Sequence, residues 1–191
     1  AVGISYGGMH WHSDLSYKPR PGLATLLYAI QCPPQGADTQ FASMYEAYSA
    51  LPEDERRGLL GLQAVHDRNF RYSALYPNRP PLTPEQIAKV PPTVHPLVIR
   101  HPATGRPALF LAKDVVSGIV GMAQAQARQL IDRLEALATQ SDRIYSHKWQ
   151  EGDVLVWDNR CTLHRATPFD TRYGRTLYRT QVKGAAPVAA A

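Results

Sequence analysis

Cysteine is scarce in this chain, and its two examples, Cys32 and Cys161, lie far apart with no CxxC pair. That spacing excludes a disulfide framework of the secreted type and a cysteine-built zinc site. Both read as reduced, buried thiols. Long apolar runs are absent as well: no stretch approaches the roughly 18 residues that cross a bilayer, and nothing at the start resembles a signal peptide. The composition therefore points to the cytoplasm and to no membrane partner. Blocks of one charge are missing too. The net charge of +5 leaves only short basic groups, Arg56-Arg57 and the set Arg172, Arg175 and Arg179. These lack the aromatic interleaving of a nucleic-acid platform, so no nucleic-acid partner is expected. A mildly basic balance suits small anionic substrates equally well.

What is present is ordinary for a globular protein: 44% hydrophobic and 19% charged residues over 191 positions, enough for one domain with a sizeable core. The opening AVGISYGG has no initiator Met and no capping or amphipathic pattern. The expectation is a single domain over residues 1–191 that lacks an N-terminal segment. No repeat occurs, and the sole low-complexity stretch is the tail GAAPVAAA. Residues 10–17 alternate like a strand, PRPG at 19–22 turns the chain, 23–32 is an apolar strand-like run, and PPQGAD at 33–38 turns it again. Residues 41–51 read as a helix, and the acids after Pro52 suit the first turn of another. From 76 to 102 the chain is proline-rich, with one short helix signal in LTPEQIAKV, Thr83 as its cap and Pro84 at its first position. So long a connection reads either as a lid or as a plain surface excursion. Two strands around a turn at 103–105 follow. Residues 124–139 form the clearest helix, with Leu130, Ile131, Leu134 and Leu137 on one stripe. Residues 153–157 and 176–182 are again strand-like. The fold class this suggests is mainly β with flanking helices, an antiparallel barrel or jelly roll.

The chemistry concentrates in MHWHSDLSY at residues 9–17, where His10, His12 and Asp14 recur at every second position. On a strand all three would share a face, one candidate metal ligand too many for a single strand. An imidazole and a carboxylate from this segment, joined by one distant histidine, would make a two-His-one-carboxylate facial triad of the kind that holds non-haem Fe(II) with three positions open. His164, after the strand-like GDVLVWDNR, is the best distant candidate. His66 reads as a helix end, His95 and His101 as turn residues before prolines, and His147 as a residue beside a turn; all four read as structural or surface. Arg175 and Arg179 are four apart, so on a strand they share a face with Leu177 while Thr176 and Tyr178 point away.

With WHSD, GADT, WDNRCTLHRA and RYGRTLYR in this order and at these distances, the chain resembles the taurine dioxygenase / 2,4-dichlorophenoxyacetate dioxygenase family over residues 9–182. The resemblance implies a double-stranded β-helix, the cupin-like jelly roll. It also implies an Fe(II)- and 2-oxoglutarate-dependent dioxygenase whose catalytic iron is held by His12, Asp14 and His164. In that family a threonine at the position of Thr39 helps bind 2-oxoglutarate. An arginine eleven residues past the distal histidine, here Arg175, pairs with the far carboxylate. A second, fifteen residues past it, here Arg179, lies near the substrate and the inner carboxylate. The physical fit is direct, since a guanidinium offers a carboxylate a bidentate fork that lysine lacks. The family more often has two glycines before the Asp-Thr pair, where this chain has Gly36-Ala37. The implied reaction consumes O2, converts 2-oxoglutarate to succinate and CO2, and hydroxylates a small organic substrate. Arg179 argues for an anionic one: a sulfonate, carboxylate or sulfate ester. His10, Leu15, Tyr17 and Trp157 are candidates for lining the pocket, with core packing as the alternative for Trp157.

Three rival readings stand beside this one. A cupin-type metal protein would use His10 and His12 as a paired ligand set. A decayed paralogue would bind 2-oxoglutarate without turning over a substrate. A hydrolase would use Ser13, although no GxSxG elbow surrounds it. Whether copies of the chain associate into a homo-oligomer is left open.

Overall fold

Residues 8–191 are described by a computed structural model; the opening stretch 1–7 lies outside the described residues. Eleven strands and five α-helices are described: β1 (Gly22–Gln31), β2 (Thr39–Ser43), α1 (Met44–Ser49), α2 (Glu53–Leu59), β3 (Gln63–His66), α3 (Tyr72–Leu75), α4 (Pro84–Ala88), β4 (Thr93–Pro96), β5 (Val98–Arg100), β6 (Pro107–Leu109), β7 (Val116–Ile119), α5 (Gln124–Ala138), β8 (Ile144–His147), β9 (Val154–Asp158), β10 (Thr162–Ala166) and β11 (Thr176–Lys183). Every strand pair is antiparallel. Two three-stranded sheets, ordered β11-β1-β9 and β10-β2-β8, carry the ends of the chain. The path alternates between them: β1 to β2, β8 to β9, then β10 to β11. They face one another, because the Trp157 ring on β9 meets Phe41 on β2 and His164 on β10 at centroid distances of 5.3 and 4.7 Å.

The apolar core lies mainly elsewhere. It gathers Leu97 to Ala112 around β5 and β6, Val116 and Ile119 on β7, Met44, Ala47 and Tyr48 on α1, and Ile131 and Leu134 on α5. Helix α5 follows the expected stripe in part. Ile131 and Leu134 are buried with Ala127, Glu135 and Ala138, while Leu130 and Leu137 pack at the margin. Ile131 and Leu134, fully buried, contribute about 1.5–3 kcal/mol each. Helix α4 has the expected Thr83 cap and Pro84 first turn, closed as a capping box by Gln86. No helix among the described residues is long and apolar enough to cross a membrane.

Several local readings give way to long-range pairing. Residues 10–17 are not a strand. His12 makes a single bridge to His164, and the chain then turns, with Ser16 N–H donating to Ser13 O and Lys18 N–H to Leu15 O. Residues 41–51 are not one helix: Phe41 and Ala42 belong to β2, zipped between β10 and β8, and the helix begins only where Ser43 accepts from Glu46 N–H. His66 closes β3 rather than a helix and lies buried against Phe110 and His95. Burial there, with His95 adjacent, pushes its pKa down to about 3. His95 sits within β4, and His147 ends β8.

Candidate metal centre and its surroundings

The His12–His164 bridge builds the centre. Each residue donates its N–H to the other's carbonyl, at 3.0 and 2.9 Å. Directly opposed residues of an antiparallel pair present their side chains to one face, so the two rings lie 4.2 Å apart by centroid. Asp14, in the turn just beyond, swings its carboxylate in beside them. One donor atom from each of the three residues lies within 4.8 Å of the others.

His12 Nδ1 is 2.8 Å from the His10 carbonyl oxygen. A carbonyl only accepts, so Nδ1 carries the proton and Nε2 presents a lone pair to the centre. That Nε2 stands 3.7 Å from Asp14 Oδ1, and His164 Nε2 stands 3.7 Å from Asp14 Oδ2. Both distances exceed hydrogen-bond reach. His164 Nδ1 is buried without a hydrogen-bond partner. Burial lowers the pKa of His12, and lowers that of His164 well below the ordinary histidine value with His12 adding to it. Both rings are therefore neutral at neutral pH. Burial alone would raise the Asp14 carboxyl, but His164, His12, Arg179 and the Thr25 hydroxyl outweigh it and bring the pKa to about 2. Two neutral imidazoles and one carboxylate thus converge without satisfying one another, a donor set that could hold a divalent transition metal.

Arg175 follows the alternation its spacing suggests, whereas Arg179 is half exposed and only its tip reaches inward. Arg175 and Leu177 are partly buried, whereas Thr176 and Tyr178 are exposed. Arg179 Nη2 donates to Asp14 Oδ1 at 2.5 Å. Arg175 Nη2 donates to the Ala37 carbonyl at 3.3 Å, and burial lowers its pKa. That carbonyl belongs to a turn in which Gly36 and Ala37 both have positive φ, 74° and 57°. The position where the resembled family more often has glycine is thus one that glycine enters without strain. Thr39, two residues on, is buried and accepts from Trp149 Nε1 at 2.9 Å.

The remaining candidates separate. His10 is not among the converging donors. Its ring lies 5.2 Å from that of His12, its carbonyl fixes His12, and burial with His12 nearby lowers its pKa to about 4. Trp157 is buried against His164, so the wall and the core readings describe one position. Leu15 takes φ 58° in the turn after Asp14. The Tyr17 ring lies under the Arg68 guanidinium at 5.7 Å and packs on the core edge. Ser13 is buried with its hydroxyl donating to Asn159 O at 2.6 Å, so it offers no exposed nucleophile. At residues 158–160 the Asp158 carboxylate holds a turn, clamped by Arg160 and His101. Asn159 instead points inward, hydrogen-bonded to Thr25. Both residues escape the sequence reading; the one available signal is a polar Thr25 inside an apolar run.

The model of a family described as taurine catabolism dioxygenase TauD, TfdA family matches residues 1–181. The alpha-ketoglutarate-dependent 2,4-dichlorophenoxyacetate dioxygenase of Burkholderia sp. (strain RASC) is 36% identical over 94% of this chain and 60% of its own length. The alpha-ketoglutarate-dependent sulfate ester dioxygenase of Pseudomonas putida is 33% identical over 93% of this chain and 60% of its own. The chain therefore spans about 60% of the length of the curated relatives it matches. Among solved structures, AAD-2 in complex with Mn(II) and N-oxalylglycine superposes with a TM-score of 0.89 at 32% identity, over 97% of this chain and 72% of that one. The two facing sheets are accordingly those of a jelly roll. With the family model covering nearly its whole length, the chain belongs to the TauD, TfdA family.

Proposed function

We propose that the chain is an Fe(II)- and 2-oxoglutarate-dependent dioxygenase that hydroxylates a small anionic organic substrate and releases succinate and CO2. The observation that carries this reading is the convergence of His12, Asp14 and His164 donors within 4.8 Å. In this reading those three residues hold the metal. Bound there, Fe(II) would supply the redox and O2 chemistry that side chains lack.

The rest of the work falls to the chain. Arg175 offers the far carboxylate of 2-oxoglutarate a bidentate fork. Thr39 offers the cosubstrate a hydroxyl proton. Its oxygen already accepts from Trp149 Nε1, which leaves that proton free to be donated. Arg179, beside Asp14, keeps positive charge where an anionic group would arrive. Trp157 and Phe41 wall the His164 side and keep water from it. An anionic substrate is further supported by the relatives, whose names specify 2,4-dichlorophenoxyacetate, (S)-phenoxypropionate and sulfate esters.

Anaerobic addition of Fe(II) and 2-oxoglutarate is expected to give the visible charge-transfer band of a chelated complex; a folded chain without that band would overturn the proposal. Asp14→Ala is expected to abolish the band, and His10→Ala to retain it. Equal loss in both would favour the cupin-type ligand pair instead. Succinate formation accelerated by sulfonates, carboxylates or sulfate esters distinguishes a working enzyme from a decayed paralogue.

A further inference from the structure

Behind Asp14 runs a buried chain of hydrogen bonds that the reaction itself does not call for. Trp157 Nε1 lies 3.1 Å from Asn159 Oδ1, Asn159 Nδ2 lies 2.9 Å from Thr25 Oγ1, and Thr25 Oγ1 lies 2.5 Å from Asp14 Oδ2. Thr25 is 0% exposed and Asn159 1%. These groups come from three places: β9 and the turn after it, the middle of β1, and the turn after the His12 bridge. Register puts Thr25 opposite Trp157, so both face the inside of the jelly roll.

The direction of every bond in this chain is determined. An indole N–H can only donate, so Asn159 Oδ1 is the acceptor at the first link; it also accepts from Asp14 N–H at 3.3 Å. The Asn159 amide group must then face Thr25 with its N–H. A threonine oxygen that accepts from Asn159 has its own proton left for Asp14. We infer that Thr25 and Asn159 are positioning residues for the metal centre: a one-way donor chain, anchored on Trp157, that fixes the rotation of the Asp14 carboxylate and holds Oδ2 as an acceptor facing His164. The inference rests on the proposed iron-site reading. It extends it to residues that touch neither metal nor cosubstrate, through the general dependence of metal affinity on the partners of the ligands.

The test is Co(II) titration of the full chain followed by the visible ligand-field band, with far-UV circular dichroism as the check of folding. Thr25→Val removes the hydroxyl at nearly constant shape. Asn159→Asp keeps size but cannot donate to Thr25, which frees that hydroxyl to turn away from Asp14. Both are expected to weaken Co(II) binding by about 10–100-fold and to shift the band, while Thr25→Ser stays near wild type. Thr25→Val and Asn159→Asp with wild-type affinity and an unshifted band would overturn the inference. So would Thr25→Ser losing as much as Thr25→Val, since the missing methyl would then be the cause. Should Thr25→Val fail to fold, Thr25→Ser and Asn159→Asp decide by the same criteria. A wild-type chain that binds no Co(II) overturns the iron-site reading and this inference together. Wild-type binding lost in His12→Ala but kept in all Thr25 and Asn159 variants overturns the inference alone.

Discussion

Gly36 is the residue whose freedom the turn that receives Arg175 depends on. Its φ is 74°, and a Cβ there would stand 2.5 Å from the Pro168 carbonyl oxygen. Left-handed backbone costs a residue with a side chain roughly 1–2 kcal/mol, and the overlap with Pro168 adds to it. Gly36→Ala is therefore expected to destabilise the fold by about 2 kcal/mol or more, read from denaturant unfolding. Because the next carbonyl, that of Ala37, receives Arg175, the proposed role of that arginine predicts that 2-oxoglutarate affinity falls as well. Unchanged stability and affinity would show that the turn accommodates the methyl. Residues of this sort are legible in sequence up to a point. A glycine between prolines and an Asp-Thr pair announces a turn, but not that a carbonyl from 132 positions on closes over it. The convergence of His12, Asp14 and His164 is legible because the chain has only seven histidines and a carboxylate two residues from one of them is chemically distinctive. Thr25 and Asn159 are not, since their meaning lies wholly in partners that only folding brings near.

At the scale of elements, helix α5 carries a carboxyl on its apolar stripe. Glu135 is buried, accepts from Lys113 N–H, and has the Lys113 ammonium 3.7 Å away. Burial raises its pKa to about 7, more than the lysine contacts lower it. The folded chain holds this proton up to about pH 7, whereas an unfolded glutamate releases it near 4.3. Folding is favoured by that proton below the ordinary range, and the contribution is lost as pH rises toward 7, a span of about 3 kcal/mol in all. Glu135→Gln keeps an acceptor for Lys113 N–H and is expected to flatten this part of the stability profile, measured as Tm from pH 5 to 8. His10 and His66, whose lowered pKa values act in the opposite sense over part of this window, are the same in both proteins, so a Glu135→Gln profile parallel to that of the wild type would contradict the assignment. Elements also show where local pattern stops deciding. Residues 41–43 favour a helix by their neighbours, yet they form β2 because β8 and β10 offer hydrogen bonds on both sides. Strand preference of this kind is set by context more than by residue type.

The whole molecule turns the usual sandwich arrangement partly inside out. Between the two facing sheets lie Thr25, Thr39, Asn159, Asp14 and His164, all buried and polar, while the outer face of β11-β1-β9 shows apolar side chains to solvent. Tyr178, Tyr28 and Val154 form one cross-strand row, with Tyr178 68% and Val154 63% exposed, and Val156 and Val182 are exposed beside them. Replacing Val154 and Tyr178 by threonine keeps strand-forming residues, so stability is expected to change by no more than about 1 kcal/mol. The solubility limit is expected to rise, because contiguous exposed apolar surface promotes association. A large loss in Tm would mean that this face is held by more than its cross-strand rows. The single bridge between His12 and His164 has a kinetic consequence. Its two residues are separated by about 150 positions, and closing so long a loop costs on the order of 4 kcal/mol of chain entropy. The two halves of the proposed metal centre meet only at that cost, so their bridge is expected to close late in folding. On the proposed reading the centre is a late clasp, and metal bound there is expected to retard opening of the finished fold far more than it hastens folding.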